Sequence, residues 1–519
     1  MSNAGVVSIK HFQGPTAAIT DDVVIGKDIL DLLTGAMYVD PLSIYREYVQ
    51  NAADAIEQAK EANLYSKAMQ PAVRIDIDQK SRTIRIRDNG ISLQQSEFVR
   101  RLTALGASKK RGSSLRGFRG VGRLSGLGYC QELVFRARAV GERRVCELFW
   151  DGKKLKDLLR SDSHTDLPQA IRAIAQTRTL SLDGYPDHFF EVELRGVRRV
   201  RNDILLNEDL VYEYLCQVAP VPFSEDFRFS QAITDFLRRH TKLDAIPITL
   251  GDDRPILRPH RNRFPITEKI HDAFVSVRFF EVPGVEEGVD AVGWILNHSY
   301  LGALPNRAQV AGLRVRVGNM QVGASDIYES LFSQPRFNSW CVGEIHIVNT
   351  RIIPNGRRDD FEVNGHLQNL HGHLAKHAKD LVKICRDKSV VRNRLKSAAM
   401  LAEAVSQSIA LLEKKQFADL KVHMSVHSRR LIDQLDVMAK SETLTKSERI
   451  VIADRTHMLA DRLRRATESR AKARGAFSRI APAKRKAYED AIDAVLSTSL
   501  PIAVRADLVQ KIVRRATAK

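Results

Sequence analysis

The chain has 519 residues, 44% hydrophobic and 28% charged, which is long enough for about three domains and too apolar for a disordered protein. Its five cysteines are scattered, without a CxxC pair or a zinc-binding spacing, so they indicate reduced thiols rather than a disulfide framework or a zinc site. No apolar run reaches the roughly 18 residues of a membrane span, and the first residues lack the apolar core of a secretory signal, so we expect a cytoplasmic protein with no membrane partner.

The positive charge is concentrated towards the C-terminal end. The formal net charge is +19, and residues 371–519 contain 32 Lys and Arg against 16 Asp and Glu. The remaining residues are therefore almost neutral. A basic module of this kind favours an acidic partner, either nucleic acid or an acidic protein surface.

The first element of chemical interest is a predicted helix in YREYVQNAADAIEQAK, residues 45–60. Polar side chains recur in it at intervals of four, three and four residues, which places them in one narrow line on a helix. They are Glu47, Asn51, Asp54 and Gln58. The opposite side is apolar. Taken alone, such a line is typical of a helix face in contact with solvent.

A β-hairpin is predicted in VRIDIDQKSRTIRIRD, where apolar residues alternate on both sides of a polar turn. The paired residues are Val73, Ile75 and Ile77 on one strand and Ile84 and Ile86 on the other. The second strand leads into Asp88, Asn89 and Gly90. An aspartate there can accept a hydrogen bond from an amino group while the glycine lets a flat ring approach the backbone. The alternative is an ordinary turn.

A glycine-rich run follows, LGASKKRGSSLRGFRGVGRLSGLGY. Glycines free backbone amides to point at phosphate oxygens, and a helix that begins behind them adds the positive end of its dipole. The alternative for a lone glycine-rich loop is simple flexibility.

These three motifs, in this order, resemble the ATP-binding motifs of the Bergerat-fold, or GHKL, superfamily. That superfamily includes gyrase, the ninety-kilodalton heat-shock chaperones, sensor histidine kinases and the MutL mismatch-repair proteins. The helix carries ExxxNxxDA, the hairpin ends in DxG, and a lid segment leads to GxGxxSG. The combination is far more specific than any one motif. The resemblance implies helices on one face of a mixed sheet, and binding of ATP with Mg²⁺.

The resemblance also implies roles for individual residues. Glu47 would be the general base for the attacking water, a task suited to a carboxylate. Asn51 would bind Mg²⁺ through its side-chain oxygen, and Asp54 would line the nucleotide pocket. Asp88 would accept a hydrogen bond from the adenine amino group, with Gly90 beside the ring.

The same resemblance implies a lid and a phosphate-binding loop. The predicted lid includes Ser108 and Lys109, and the predicted phosphate-binding backbone is that of Gly120, Val121, Gly122 and Arg123. Two positions depart from the family pattern. Ser92 stands where the adenine motif usually has a second glycine. The family's threonine near the last sheet strand has His188 as its nearest counterpart here.

The resemblance extends to one branch of the superfamily. Glu47 argues against a histidine kinase, because those enzymes phosphorylate a protein and lack this glutamate. GFRGVGRLSG has the GVGxxS form of the ninety-kilodalton heat-shock chaperone (HtpG-like) branch. GLRVRVGNMQVG and RFNSWCVGEIHIVNTRIIPNGRRDDFE resemble that branch's middle domain, in which an arginine reaches the γ-phosphate. Arg357 and Arg358 match that arginine, and the alternative is a surface turn with paired charges.

The sequence therefore predicts an α+β chain of three domains. They are a Bergerat-fold ATPase domain at residues 1–200, an α/β middle domain that completes the ATP site at residues 201–370, and a basic helical domain at residues 371–519. In the last domain, residues at helical spacing could pair two copies of the chain, namely Leu401, Val405, Ile409 and Leu412. Its basic runs are either solvated helix faces or phosphate-contacting helices.

Two functions follow from the resemblance and the charge. The first is a dimeric chaperone-like clamp that hydrolyses ATP with Mg²⁺ and closes around a client protein. The second is a nucleic-acid clamp of the MORC or MutL type, in which residues 371–519 hold DNA or RNA. A protein that binds ATP without hydrolysing it is a third alternative, against which Glu47 argues.

Overall fold

Helices and strands alternate over the first two thirds of the chain, and helices alone follow. The structure is a computed structural model that describes residues 26–31, 40–67, 69–105, 122–161, 165–241, 244–413, 421–468, 480–496, 498, 500 and 502–517. Its helices are α1 (Ile29–Asp31), α2 (Ser43–Glu61), α3 (Gln95–Thr103), α4 (Gly152–Arg160), α5 (Leu167–Ile174), α6 (Glu208–Val218), α7 (Ser230–His240), α8 (Gly365–Leu412), α9 (Lys421–Ala439), α10 (Lys446–Glu468), α11 (Pro482–Leu496) and α12 (Ile502–Thr517). Its strands are β1 (Val73–Asp78), β2 (Thr83–Asp88), β3 (Glu132–Arg138), β4 (Val145–Asp151), β5 (Ala175–Leu180), β6 (Phe189–Arg195), β7 (Ile248–Leu250), β8 (Arg254–Pro255), β9 (Arg263–Pro265), β10 (His271–Ala273), β11 (Ser276–Pro283), β12 (Val289–Asn297), β13 (Gly312–Val317), β14 (Met320–Val322) and β15 (Val342–Ile347). Within these ranges, no helix has both the length and the apolarity needed to cross a membrane.

The first sheet has eight strands within the described ranges, in the order β5-β4-β3-β6-β2-β1-β7-β8. β1 and β2 form the predicted hairpin, with Ile75 opposite Ile86 and Ile77 opposite Ile84. β7 lies parallel to β1, so the sheet is mixed. Its apolar residues share one buried core with those of α2, which confirms the predicted α+β class. We call this sheet and its helices the first unit.

The opposite face of the first sheet is covered by a ladder of alternating charges. At its centre Arg136 on β3 is only 6% exposed. It pairs with Glu147 at 2.8 Å, Glu191 at 2.7 Å and Glu193 at 2.8 Å. Cross-strand neighbours project to the same face of a sheet, so the charges collect on one side. The apolar side chains are left to face the helices.

The second sheet, β11-β12-β15-β13-β14, packs against the first half of α8. Leu374, Leu381 and Cys385 of that helix are buried in the same core as Val315 and Ile345 of the sheet. We call this sheet, α7 and the first half of α8 the second unit. The predicted middle α/β domain lies in this part of the chain.

A buried polar cluster joins the first unit to the second. Glu344 on β15 is 1% exposed and accepts hydrogen bonds from Arg316 at 2.7 Å and from Arg258. Arg316 also donates to the backbone oxygens of Gln217 at 2.6 Å and Ala219 at 3.3 Å, at the end of α6. Removing one member would leave a buried charge without compensation, which is strongly destabilising.

The second half of α8 forms a helical bundle with α9 and α10, which we call the third unit. Val405, Ile409 and Leu412 are at most 1% exposed and lie in one core with Leu435 of α9. Leu401 is partly buried against the same core. The predicted pairing of these residues between two copies of the chain is therefore wrong, because they pack inside their own chain.

The units do not divide at the predicted boundaries of residues 200 and 370. After α6 the chain enters the second unit, where Ile233 of α7 packs with Trp294 of β12. It then returns to the first sheet, because β7 pairs with β1, and the first core extends to Ile256. α8 continues without a break across residue 370. Sequence composition could not reveal this interleaving, because it arises from strand pairing between distant segments.

Candidate active site

Helix α2 carries its polar line into the interior of the protein. Glu47 is 6% exposed and Asp54 is fully buried, while Asn51 and Gln58 are partly buried. The alternative of a solvent-facing line is therefore wrong. Because moving a carboxylate out of water is costly, these residues need partners within the protein or in a ligand.

Tyr48 of α2 fixes the end of the glycine-rich run. Its hydroxyl donates to the carbonyl oxygen of Arg123 at 3.1 Å and accepts from the amide of Gly126 at 2.9 Å. A Cβ on Gly126 would lie 2.4 Å from that hydroxyl oxygen, so a larger residue there would displace the Tyr48 side chain. The helix expected behind the loop is a short 3₁₀ segment, Gly122–Gly128, rather than an α-helix. Its aligned peptide dipoles are correspondingly few.

Gly122 and Arg123 are the members of the predicted phosphate-binding run that the structure describes. Burial lowers the pKa of the Arg123 guanidinium, and the positive charge of Arg101 adds to the effect. Ser125 has a fully buried hydroxyl, for which the described part of the chain offers no hydrogen-bond partner. Other predicted residues lie outside the described ranges, and their roles stay predictions: Ser108, Lys109, Gly120 and Val121.

The Asp88 carboxyl is buried at the end of β2, beside α2. It accepts a hydrogen bond from the amide of Gly90 at 2.9 Å, and burial raises its pKa to about 7. A Cβ on Gly90 would lie 2.5 Å from the backbone carbon of Ala55 and 2.6 Å from the nitrogen of Ile56. Gly90 is thus required by the close approach of α2. The Ser92 hydroxyl, in place of the second glycine, donates to the backbone of β6 at 2.7 Å.

The strand neighbour of Asp88 is Phe190 on β6. Since directly opposed residues project to the same face, the aromatic ring of Phe190 lies on the same face of the sheet as the Asp88 carboxyl. His188 lies just before β6 and donates through Nε2 to the carbonyl oxygen of Asn89 at 2.9 Å. The His188 ring is thus engaged with the backbone that follows Asp88. The alternating pattern of FFEVELR, set against the hairpin register, is the signal that could have identified Phe190.

Arg358, from the loop before α8, reaches the carboxylate of Glu47. Its Nε lies 3.2 Å from Oε1 of Glu47, and its guanidinium also donates to the side-chain oxygen of Gln50. The backbone of Arg358 has a φ of +58°, a left-handed conformation that is unfavourable for a residue with a side chain. Arg357 is exposed. Of the two candidate arginines, Arg358 is the one whose side chain contacts α2 in the described structure.

Two residues of α2 that the sequence did not single out hold this loop. Arg46 donates to the backbone oxygen of Arg357 at 2.8 Å and to that of Arg358 at 3.4 Å. Gln50 is 1% exposed and accepts from the Arg358 guanidinium. Arg46 and Gln50 are four residues apart, on one side of the helix. That spacing, next to Glu47, was the available signal.

Three side chains at this site keep hydrogen-bonding capacity for a ligand. In the described residues, the Asp88 carboxyl accepts only the Gly90 amide, and Ser125 and Asn51 make no side-chain hydrogen bond. An adenine amino group and phosphate oxygens are suitable partners for Asp88 and Ser125, and Mg²⁺ is suited to the Asn51 oxygen. The residues present therefore fit a nucleotide with Mg²⁺.

We expect Gly90→Ala to destabilise the first unit by about 1–3 kcal/mol, because the added methyl meets backbone atoms of α2 that cannot rotate away. Urea unfolding measures the effect. Gly372→Ala is the control, since a Cβ there has open space and alanine favours a helix. Equal stability of Gly90→Ala and the wild type would contradict the close approach.

The raised pKa of Asp88 makes the free energy of unfolding depend on pH. The folded carboxyl titrates near pH 7, whereas an unfolded aspartate titrates near pH 3.9. Between these values the folded state binds more protons, so this group's contribution to stability falls as the pH rises from about 4 to about 7. We expect Asp88→Asn, which stays neutral, to lack this decline. The difference between the two proteins in urea unfolding should grow from about pH 5 to pH 8, and a constant difference would contradict the assignment.

Comparisons with known proteins agree with this geometry. Residues 43–175 match the family described as "Histidine kinase-, DNA gyrase B-, and HSP90-like ATPase". "Chaperone protein HtpG" of Klebsiella pneumoniae subsp. pneumoniae is 25% identical over 168 residues, which cover 28% of this chain and 27% of that protein. "Chaperone protein HtpG" of Escherichia coli O157:H7 is 26% identical over the same length and shares. The chain thus matches about a quarter of the length of these curated relatives. Residues 43–175 therefore match the GHKL superfamily and are similar to its HtpG-like branch, and a match to this family implies ATP binding.

Proposed function

We propose that the protein is a chaperone-type ATPase that hydrolyses ATP to ADP and phosphate. The observation that carries this proposal is the contact between Arg358 and Glu47 at 3.2 Å. It brings a guanidinium of the second unit to a buried carboxylate on the polar line of the ATP-binding helix. A carboxylate can activate water, and an arginine can stabilise the charge that develops on a transferred phosphate.

Each polar group of the site has a proposed role, either in binding the nucleotide or in activating water. Glu47 orients the attacking water and takes its proton. Asp88 receives the adenine amino group, and Asp54 lines the pocket from α2. The amides of Gly122 and Arg123 contact the phosphates. Ser108, Lys109, Gly120 and Val121 are proposed to complete the lid and the phosphate loop.

Asn51 would hold Mg²⁺ through its side-chain oxygen. When bound, Mg²⁺ neutralises charge on the phosphate oxygens and orients them. Asn51 lies one helical turn from Glu47 on α2, so the metal side and the water side of the site are set by one rigid element. The rigidity of that element supports in-line positioning of water and phosphate.

The guanidinium of Arg358 pairs with the carboxylate of Glu47. A γ-phosphate carries more charge than a carboxylate and offers bidentate contacts, so it competes for the guanidinium. Transfer of Arg358 from Glu47 to the phosphate would free the carboxylate for water. The reaction therefore requires the first and second units to stay docked.

The partners are part of the proposal. We propose that two copies of the chain act together as a clamp and that a client protein is the target, in keeping with the name of the relatives, chaperone protein HtpG. Closure of the lid on ATP and its reopening after hydrolysis would drive the clamp. The buried residues of the third unit exclude a zipper through Val405, Ile409 and Leu412, so the pairing surface lies elsewhere.

We expect Glu47→Ala to lower steady-state phosphate release from ATP by about 100-fold or more, because a positioned general base contributes roughly 10²–10⁴ to a rate. Nucleotide binding, measured by calorimetry, should remain. Glu61→Ala is the matched control, since Glu61 is exposed at the end of the same helix. Unchanged turnover in Glu47→Ala would sink the hydrolysis proposal.

The two neighbouring arginines offer a second matched pair. Arg358→Ala should lower kcat by about 100-fold, which is typical for loss of one stabilising group in a transition state, whereas Arg357→Ala should change it less than about twofold because its side chain is exposed. Single-turnover phosphate release measures both. A larger loss with Arg357→Ala than with Arg358→Ala would contradict the assignment.

A further inference from the structure

Helix α8 presents a row of four cations to solvent. Lys376, Lys379, Lys383 and Arg386 are all exposed and follow one another at intervals of three, four and three residues, so they stand in a band roughly 80° wide on one side of the helix. The opposite side is buried in the second unit, through residues such as Leu374, Leu381 and Cys385. We name these four residues the α8 row.

We propose that the α8 row binds the sugar-phosphate backbone of a nucleic-acid duplex without reading its sequence. The proposal does not depend on ATP hydrolysis. The row also lies outside residues 43–175, the segment that matches the GHKL family, so it is a property of this chain rather than of the shared ATPase domain.

The charges of the row are not neutralised by neighbours. Within the described part of the chain, none of the four cations makes an ion pair, although Asp380 follows Lys376 by four residues and Asp387 follows Lys383 by four. In α12, by contrast, Asp507 precedes Lys511 by four residues and pairs with it at 2.8 Å. An acidic residue on the N-terminal side of a lysine is the better orientation on a helix. In the α8 row both acidic residues at a spacing of four follow their lysines, and Asp380, which precedes Lys383 by three residues, makes no ion pair with it in the described structure.

The length of the row matches a phosphate backbone. The ten residue steps from Lys376 to Arg386 span about 15 Å along the helix. One strand of a duplex carries a phosphate about every 3.4 Å along its axis, so this length of α8 faces about four phosphates. The four cations of the α8 row therefore match about four phosphates of one strand in number and spacing.

The composition of the row favours a phosphate backbone over an acidic protein. Protein interfaces have an apolar or aromatic core inside a polar rim. The apolar residues between Lys376 and Arg386 lie outside the 80° band of the α8 row, at 100° per residue, so the row itself has no apolar core. Backbone contacts to nucleic acid need only positive charge and reach. The excess of 32 Lys and Arg over 16 Asp and Glu in residues 371–519 extends the same field.

The experiment measures binding of the full-length protein to a fluorescein-labelled duplex of 20 base pairs by anisotropy, over a range of NaCl concentrations. The test variant is Lys376→Gln/Lys379→Gln/Lys383→Gln/Arg386→Gln, in which glutamine keeps the helix propensity. The control variant makes the same charge change on exposed residues of the first unit, Lys80→Gln/Arg144→Gln/Lys153→Gln/Lys154→Gln.

We expect the slope of log affinity against log salt to become shallower by about 3.6 in the test variant, because each phosphate contact contributes about 0.9. At 0.15 M NaCl its affinity should fall at least about tenfold, and the control should stay within about threefold of the wild type. Lys376→Arg/Lys379→Arg/Lys383→Arg should retain binding, which separates loss of charge from loss of fold. Unchanged ATP hydrolysis and circular dichroism in the test variant would support the same reading.

Several outcomes would overturn the proposal. They are absence of duplex binding by the wild type, equal losses in the test and control variants, or loss of binding in the arginine variant. Tighter binding of poly-L-glutamate than of the duplex, with the same dependence on the row, would assign the surface to an acidic protein instead. Failure of ATP hydrolysis alone would leave duplex binding intact, so the two proposals can fail separately.

Discussion

The ion pair between Glu47 and Arg358 determines how the parts of the candidate site come together. A carboxylate that is 6% exposed must be compensated, and its compensation comes from a loop more than 300 residues away in the sequence. Arg46 holds the same loop through two backbone oxygens. The left-handed backbone of Arg358 is sustained by these contacts, since strained backbone persists only where its surroundings over-determine it. The site is therefore shared between two units rather than built within one.

A second contact between the first and second units, the Glu344 cluster, is polar as well. Glu344 holds Arg258 and Arg316 in the interior, and Arg316 reaches the end of α6 in the first unit. Burial lowers the pKa of Arg258 to about 10, with the nearby positive charge of Arg316 adding to the effect. Such a cluster stabilises the docked arrangement only while every member is present. Buried polar contacts of this kind favour one defined arrangement of the two units, because a shifted interface leaves buried charges without partners.

The sequence predicted the elements of the site better than the contacts between them. Hydrophobic periodicity was sufficient to predict α2 and the β1–β2 hairpin, because local spacing alone decides which residues share a face. It could not show that Gly90 is needed for packing against Ala55, that Phe190 lies opposite Asp88, or that Gln50 accepts from Arg358. Each of these contacts depends on the register or docking of distant segments. The expected zipper failed for the same reason, since an apolar row does not tell whether its partner is another chain or the same one.

The polar line of α2 and the α8 row show that periodicity does not decide whether a polar line is buried or exposed. Both have alternating intervals of three and four residues, yet Asp54 in the first is fully buried and the four cations of the second are exposed. The side chains themselves account for part of the difference. Short carboxylates and amides cannot reach water from beneath a neighbouring segment, whereas lysine and arginine carry their charge to the end of a long apolar stem. The α2 line therefore requires specific partners such as Arg358, while the α8 row is satisfied by water and mobile ions, and mobile ions are what a polyanion displaces when it binds.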